Sequence, residues 1–271
     1  MGGAERSARK RKQQQLANAQ TARQPSGKPA GDPDRTKKII IGVAGVLVLA
    51  GVIIGGWAWM NADKKATEGQ AIPTRSAAAG TESTREGVAV VTGSPAADVT
   101  IDVYADFLCP VCKQFEEVYG ERISGRVAAG EVRLRTHMLP MLTNRSDPPG
   151  YSLDAANAAL CAADEGKFTA FHNSLFAAQP REGTRGYDNR QLIDLGTNLG
   201  ITGGTFAACV NNGTYDDELT AEFTQVKDDP KLQQDFGSGP GFGTPTVVAN
   251  GEIVDLSDDA WLANLVDTAK G

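Results

Sequence analysis

Asp106-Phe107-Leu108-Cys109-Pro110-Val111-Cys112-Lys113 decides how this chain is read. Upstream, Val99 to Phe107 alternates Ile101, Val103 and Ala105 against Asp102, Tyr104 and Asp106, the two-residue period of a strand with one buried face. Downstream, Phe115, Val118, Ile123 and Val127 approximate one helical stripe from Val111 to about Ala128. The two cysteines therefore sit where a strand ends and a helix begins. At i and i+3 on a first helical turn their sulfurs can reach one another, so a small reversible ring is feasible. Pro110 suits that turn. The aligned amides beneath it favour a thiolate on Cys109, and a stabilised thiolate is a better leaving group.

Working outward, Gly87 to Gly93 and Val132 to Leu139 have strand character. Ser152 to about Ala178 predicts a long alanine-rich helix with Ser152 as its N-cap. Shorter helices are expected over 189–199, 205–211 and 217–226. Asn250-Gly251 between apolar runs marks a hairpin, and 258–270 a closing helix. The order β-β-α-β, helical block, β-β-α is an α/β domain interrupted by helices, with the interruption at about 150–235.

The whole chain of 271 residues carries 27 Lys+Arg against 33 Asp+Glu, net −6. The charge is uneven. Residues 1–38 hold ten Lys/Arg and three acids, net +7, and residues 39–60 (IIIGVAGVLVLAGVIIGGWAWM) hold none. A basic arm can contact nucleic acid, but this one leads straight into an apolar run. At about 1.5 Å per residue that run spans roughly 33 Å, the thickness of a bilayer core. The expected layout is a cytoplasmic basic tail (1–38), one transmembrane helix (39–60), a flexible linker (61–86) and an outer domain (87–271). The positive flank keeps the N-terminus inside. No nucleic-acid partner is expected. A cleaved signal peptide is the competing reading of the same run.

CxxC alone also occurs in zinc half-sites. Zinc needs two further soft ligands, and Cys161 and Cys209 are the other cysteines of the chain. An extracytoplasmic address favours disulfides over such a site, so no metal and no cofactor is expected. Two histidines, His137 and His172, are too few for a relay of imidazoles, and each is expected to serve packing or surface.

D-F-x-C-P-x-C after a strand, a helical insertion and the later Gly243-Thr244-Pro245-Thr246 resemble the DsbA-like thiol–disulfide oxidoreductases of the thioredoxin superfamily, in particular their membrane-anchored, extracytoplasmic members. The resemblance covers about residues 87–271. It implies a thioredoxin fold, with Cys109 the exposed attacking cysteine, Cys112 the buried resolving one, and Pro110 and Val111 the active-site dipeptide. It also implies that Pro245 is a cis-proline next to which the backbone of Thr244 pairs with an extended substrate. Read locally, Pro245 is equally an ordinary trans proline at a strand edge. Cys161–Cys209 is implied as a structural disulfide in the insertion, with two buried free thiols as the alternative.

The implied activity is donation of the Cys109–Cys112 disulfide to folding secreted or membrane proteins. Reoxidation would fall to a quinone-coupled membrane partner of the vitamin K epoxide reductase or DsbB type. A disulfide reductase or isomerase, and a tethered binding module with a structural CxxC, are the rivals. Two departures stand out. The buried carboxylate that the superfamily often carries six residues before the first cysteine is Val103 here. Asp102 and Asp106 are expected on the other face, with Asp106 a candidate helix cap. Val111 replaces the histidine of the most oxidising members, which implies a weaker oxidant.

Overall fold

Strand β3, Val99–Ala105, lies at the middle of the sheet. Val99, Ile101, Val103 and Ala105 are buried on one face, while Thr100, Asp102 and Tyr104 are half-buried on the other. In this computed structural model, which describes residues 63–237 and 239–270, β3 pairs in parallel with β4 (Val132–Met138) and antiparallel with β7 (Thr246–Ala249). With β1 (Ser83–Glu86), β2 (Ala89–Thr92) and β8 (Glu252–Ile253) the six-stranded order is β1-β2-β4-β3-β7-β8. Asn250 and Gly251 join β7 to β8 with φ of 49° and 90°, the positive values a type I′ hairpin turn demands at both positions. A two-residue pairing, β5 (Gln234–Asp235) with β6 (Pro240–Gly241), stands apart from the main sheet.

The parallel crossover from β3 to β4 is one continuous run of helix. It starts as α1 (Pro110–Phe115), widens into a π-helical turn over Glu116–Gly120 and continues as α2 (Glu121–Ala128). The wide turn changes the expected stripe. Phe115, Tyr119, Ile123 and Val127 face the core at four-residue steps, and Val118 is 54% exposed. An i→i+5 turn adds a residue to the repeat and moves the inward position from 118 to 119. There the Tyr119 ring packs at 5.4 Å from both Phe115 and Trp261, the latter on the closing helix α8 (Trp261–Lys270).

The helical block comprises α3 (Tyr151–Asp164), α4 (Phe168–Ala177), α5 (Asn189–Asn198), α6 (Gly204–Asn212) and α7 (Asp216–Asp228). The single helix expected over 152–178 is two. Gly166 at φ 67° takes the left-handed conformation that ends α3, and the amides of Gly166 and Lys167 return to the carbonyls of Ala163 and Ala162. Helix α3 is the hub, packing on α4, α5, α6, α7 and β1. Its run of alanines allows that close approach on nearly every side, with Ala155, Ala158, Ala159 and Ala162 all at 0% exposure. Ser152 does not cap α3. The cap position is Gly150, and Ser152 lies buried within the first turn.

Residues 63–86 are not the flexible tether that their composition suggests. Ile72 is buried at 3% exposure, and Ser83–Glu86 pairs with β2 as the edge strand. The rest of the segment is held by polar groups of the helical block. Gln191 Nε2 donates to the carbonyls of Thr67 and Gln70 at 2.6 and 2.7 Å. The Arg75 amide donates to Ser174 Oγ at 2.8 Å, and the Arg185 amide to the carbonyl of Asp63 at 3.0 Å. A chain anchored through its backbone needs no apolar periodicity, so the sequence gives no sign of it. The basic tail (1–38) and the expected transmembrane run (39–60) lie outside the described residues. Among the described residues no helix is long and apolar enough to cross a membrane.

Candidate active site

A tight turn closed by the Cys109 amide on the Asp106 carbonyl, at 3.0 Å, carries the chain from β3 into α1. Cys109 is the N-cap residue of α1, Pro110 takes the first helical position, and the Lys113 amide donates to the Cys109 carbonyl at 3.2 Å. Across from the turn, Thr246 of β7 stands opposite Tyr104 of β3, so the residues just before β7 arrive at the end of β3 where the cysteines lie. The Thr244–Pro245 bond there is cis. The Thr244 carbonyl accepts from Cys109 Sγ at 3.2 Å.

Both cysteines are free thiols, in unequal settings. Cys112 has no exposure and Cys109 has 5%, less than an exposed attacking cysteine implies, while the next two residues, Pro110 and Val111, are exposed. The Thr244 carbonyl stands against the Cys109 sulfur at 3.2 Å. That sulfur nevertheless ionises easily. The hydrogen bond from the Cys112 thiol, helped by the Thr244 side chain and the amides of Val111 and Cys112, outweighs burial and brings Cys109 down to about 6. Thr244 Oγ1 is buried with no other hydrogen-bond partner, so its hydroxyl is free to turn to a sulfur anion. Burial, together with donation to Cys109, pushes Cys112 well above the usual thiol value. One sulfur is thus a ready thiolate and the other a retained thiol.

Asp106, assigned by alternation to the outer face, is wholly buried beside the pair. It follows the last residue of β3, where the alternation no longer applies. Its Oδ1 accepts from the Leu108 amide at 2.7 Å and from Ser152 Oγ at 2.8 Å, and its Oδ2 accepts from the Leu142 amide at 2.7 Å. The bond to Leu108 closes the turn ahead of the helix and is not the helix cap expected of Asp106, since the cap residue is Cys109 and no side chain caps α1. The other two tie the active-site turn to the helical block and to the loop after β4. Burial lifts the carboxyl to about 6 against these three donors, and charge on Cys109 adds to the rise. Gln179, just beyond α4, donates from Nε2 to the Cys109 carbonyl at 3.0 Å. Nothing in the sequence singles out Gln179, because the contact joins positions 70 apart.

Val103 is buried beneath this site, and Asp102 lies on the opposite face as expected. Asp102 belongs to a separate cluster with His137 of β4. The His137 ring nitrogens lie 3.1 Å from Asp102 Oδ1 and 3.2 Å from Glu222 Oε1 of α7. Burial opposes a charge on this imidazole, but the two carboxylates outweigh it and raise His137 above the usual histidine value. The cluster pins α7 to the sheet. His172 of α4 packs its ring against Phe107, Phe168 and Phe176.

Cys161 of α3 and Cys209 of α6 are joined in a disulfide, with Cα atoms 6.0 Å apart. The soft ligands that a zinc reading would need are consumed by that bond. Among the described residues no group of His, Cys, Asp or Glu could hold a metal ion.

A sheet whose central strand delivers two unequal thiols to a helix start, with a cis-proline loop opposite, defines a thioredoxin-fold dithiol–disulfide oxidoreductase. A thioredoxin family model matches residues 85–268, and the chain belongs to that family. The structure of DsbA from Mycobacterium tuberculosis in its reduced form is similar at 28% identity and a TM-score of 0.56, covering 70% of this chain and 92% of that one. The disulfide bond oxidoreductase DsbG of the same organism gives 29% identity and 0.55, covering 69% and 86%. MdbA of Corynebacterium diphtheriae, a thiol–disulfide oxidoreductase at 22% identity and a TM-score of 0.56 over 76% and 98%, shares the fold. The serine/threonine-protein kinase PknE of M. tuberculosis is 28% identical over 183 residues, 65% of this chain. The match spans 31% of that kinase's length. The matched domain is similar in fold and site to the DsbA-type thiol–disulfide oxidoreductases.

Proposed function

We propose that the oxidised Cys109–Cys112 pair donates its disulfide to folding secreted or membrane proteins outside the cytoplasm. The asymmetry of the two thiols carries this reading. A client thiolate attacks Cys109 Sγ, the Cys109–Cys112 bond breaks, and the Cys112 sulfur leaves and takes up a proton. A second client thiolate then attacks the client sulfur of the mixed disulfide and expels Cys109 as a thiolate. The client loses two electrons and the enzyme gains them. Easy ionisation of Cys109 favours that last departure and disfavours re-attack once the client is oxidised. The Thr244–Pro245 backbone beside Cys109 is the edge on which an extended client segment pairs.

Return to the oxidised state needs an acceptor for the two electrons. Similarity to DsbA supports a quinone-coupled membrane reoxidase of the vitamin K epoxide reductase or DsbB type. The uncharged run 39–60 behind a basic tail supports a single-pass anchor with the N-terminus cytoplasmic, which keeps the enzyme beside such a partner. Val111 offers the Cys109 sulfur neither charge nor hydrogen bond, so the potential against glutathione should lie below the about −120 mV of the strongest oxidants.

Cys112→Ala tests the direction. The full-length variant should accumulate mixed disulfides with client proteins through Cys109, and the wild-type oxidised enzyme should oxidise a reduced unfolded protein in stoichiometric amount. A variant that traps no client would favour a binding module. A wild-type enzyme that only reduces clients would favour a reductase.

A further inference from the structure

A cavity of about 800 Å³ takes no part in the exchange described above, and neither active-site cysteine lines it. Val103 and Leu134 line it from the sheet, Phe115 and Ile123 from the crossover helix, and Phe176 from α4, with residues 75–78 along its border. Cavities of about 300–1,000 Å³ with mostly apolar walls and a few placed polar groups hold drug-sized ligands.

One carboxylate reaches into this space. Glu116 opens the π-helical turn, lines the cavity and keeps 19% of its side chain exposed. Its Oε2 lies over Gly120, where a Cβ would come within 2.9 Å of it. No lysine or arginine pairs with it among the described residues, and its ionisable neighbour is His172, whose Nε2 stands 3.7 Å from Glu116 Oε1. That distance is too long for a hydrogen bond, and α4 shows why. Asn173 donates from Nδ2 to the Ser76 carbonyl at 3.3 Å, which leaves its Oδ1 at 3.4 Å from His172 Nδ1. An acceptor at that place puts the imidazole proton on Nδ1 and makes Nε2 an acceptor as well. His172 is 7% exposed, and its Nε2 is buried without a hydrogen-bond partner. Two acceptors thus face each other, and no donor of the described residues stands between them. Burial raises the Glu116 carboxyl above its ordinary value, as expected of a charge that lacks compensation.

We propose that this cavity binds a small organic cation, an amine whose ammonium group meets Glu116 while its apolar body lies along Val103, Leu134 and Phe176. Nothing in this site depends on thiol exchange. An ammonium carries three donors and no acceptor, which suits two acceptors 3.7 Å apart. One N–H meets the accessible carboxylate, and a second reaches His172 Nε2 when the carboxylate turns aside. The lining holds three acids, Glu116, Glu117 and Glu121, against Arg75 and Lys113, a balance that disfavours anions. A neutral ligand of the same shape would leave the carboxylate uncompensated among apolar groups.

Calorimetric titration of the full chain with 4-phenylbutylamine tests the site, with 4-phenylbutan-1-ol as the uncharged comparison. The amine should bind at least tenfold more tightly than the alcohol, and Glu116→Gln should remove that advantage. Gly120→Ala keeps every charge and places alanine, a good helix former, at a helical φ of −55°. Its methyl group displaces the carboxylate, so the amine should bind about fivefold more weakly. Nitrogen NMR of the wild-type protein at pH 8 should find the His172 proton on Nδ1. Failure of the amine to bind at millimolar concentration would overturn the proposal, as would equal binding of amine and alcohol. Unchanged affinity in Glu116→Gln or Gly120→Ala would do the same, and so would a His172 proton found on Nε2. The comparison of the two ligands on the wild-type protein decides the matter even where a variant fails to fold.

Discussion

Cys109–Cys112 and Cys161–Cys209 are chemically the same four side chains, and the fold gives them opposite work. The first pair lies within one helical turn, with its sulfurs among aligned amides, a threonine hydroxyl and a buried carboxyl. That environment separates the two thiols, bringing one to about 6 and the other well above the usual thiol value. The second pair joins two helices 48 positions apart in a setting made mostly of alanine, leucine and phenylalanine. A sulfur anion in that apolar setting is poorly solvated, which makes it a poor leaving group. A reversible disulfide is made by feeding charge to one sulfur, and a permanent one by withholding it.

The most forceful way to break that comparison is to remove the permanent bond. Cys161→Ala with Cys209→Ala should lower the unfolding free energy by about 4 kcal/mol in the chain-entropy model and leave thiol exchange at Cys109 near wild type. Denaturant unfolding and a client-oxidation assay check the two halves. Loss of exchange without loss of stability would mean that the bridge belongs to the site.

The reversible pair should make stability depend on both pH and redox state. The folded value of Cys109, about 6, lies below its ordinary 9.0. Its contribution is therefore complete above pH 9, is lost as pH falls through 6, and exists only in the reduced protein. Raising the pH from 6 to 7.5 should stabilise the reduced form relative to the oxidised form by about 1.5 kcal/mol. Asp106 runs the other way, because its folded value of about 6 lies above 3.8. Its contribution is complete below pH 4 and is lost as pH rises through 6. Melting curves of both redox forms across pH measure the difference directly, and parallel curves would count against a privileged Cys109.

The smallest expected effect sharpens how the turn is held. Gln179→Ala removes one hydrogen bond to the Cys109 carbonyl and should cost about 1 kcal/mol, with the thiolate midpoint unchanged. A moved midpoint would show that Gln179 also sets the charge at the sulfur.

Much of this was legible in the chain. The alternation of Val99–Ala105, the CxxC at a strand-to-helix junction and the Asn250-Gly251 turn are local patterns, and local patterns survive in sequence. So does the parity that separates Asp102 from Val103. The failures share a cause. Residues 63–86 have no periodicity because Gln191, Ser174 and Arg185 hold their backbone from far away. Val118 lost the inward position to Tyr119 because a π turn has no residue signature of its own. Asp106 is buried against its expected outer face because strand alternation says nothing about a residue that has just left the strand.

Sequence alone determined which atoms can react, since two cysteines three apart with a proline between them at a strand-to-helix junction can close a small reversible ring. It also determined the charge split between tail and domain. Tertiary structure decided how those atoms differ. The Thr244 carbonyl beside Cys109 and the Ser152 and Leu142 contacts to Asp106 come from segments 36 to 135 positions away along the chain. The energy of a charge depends on the dipoles and solvent around it, and those are assembled only when the chain folds.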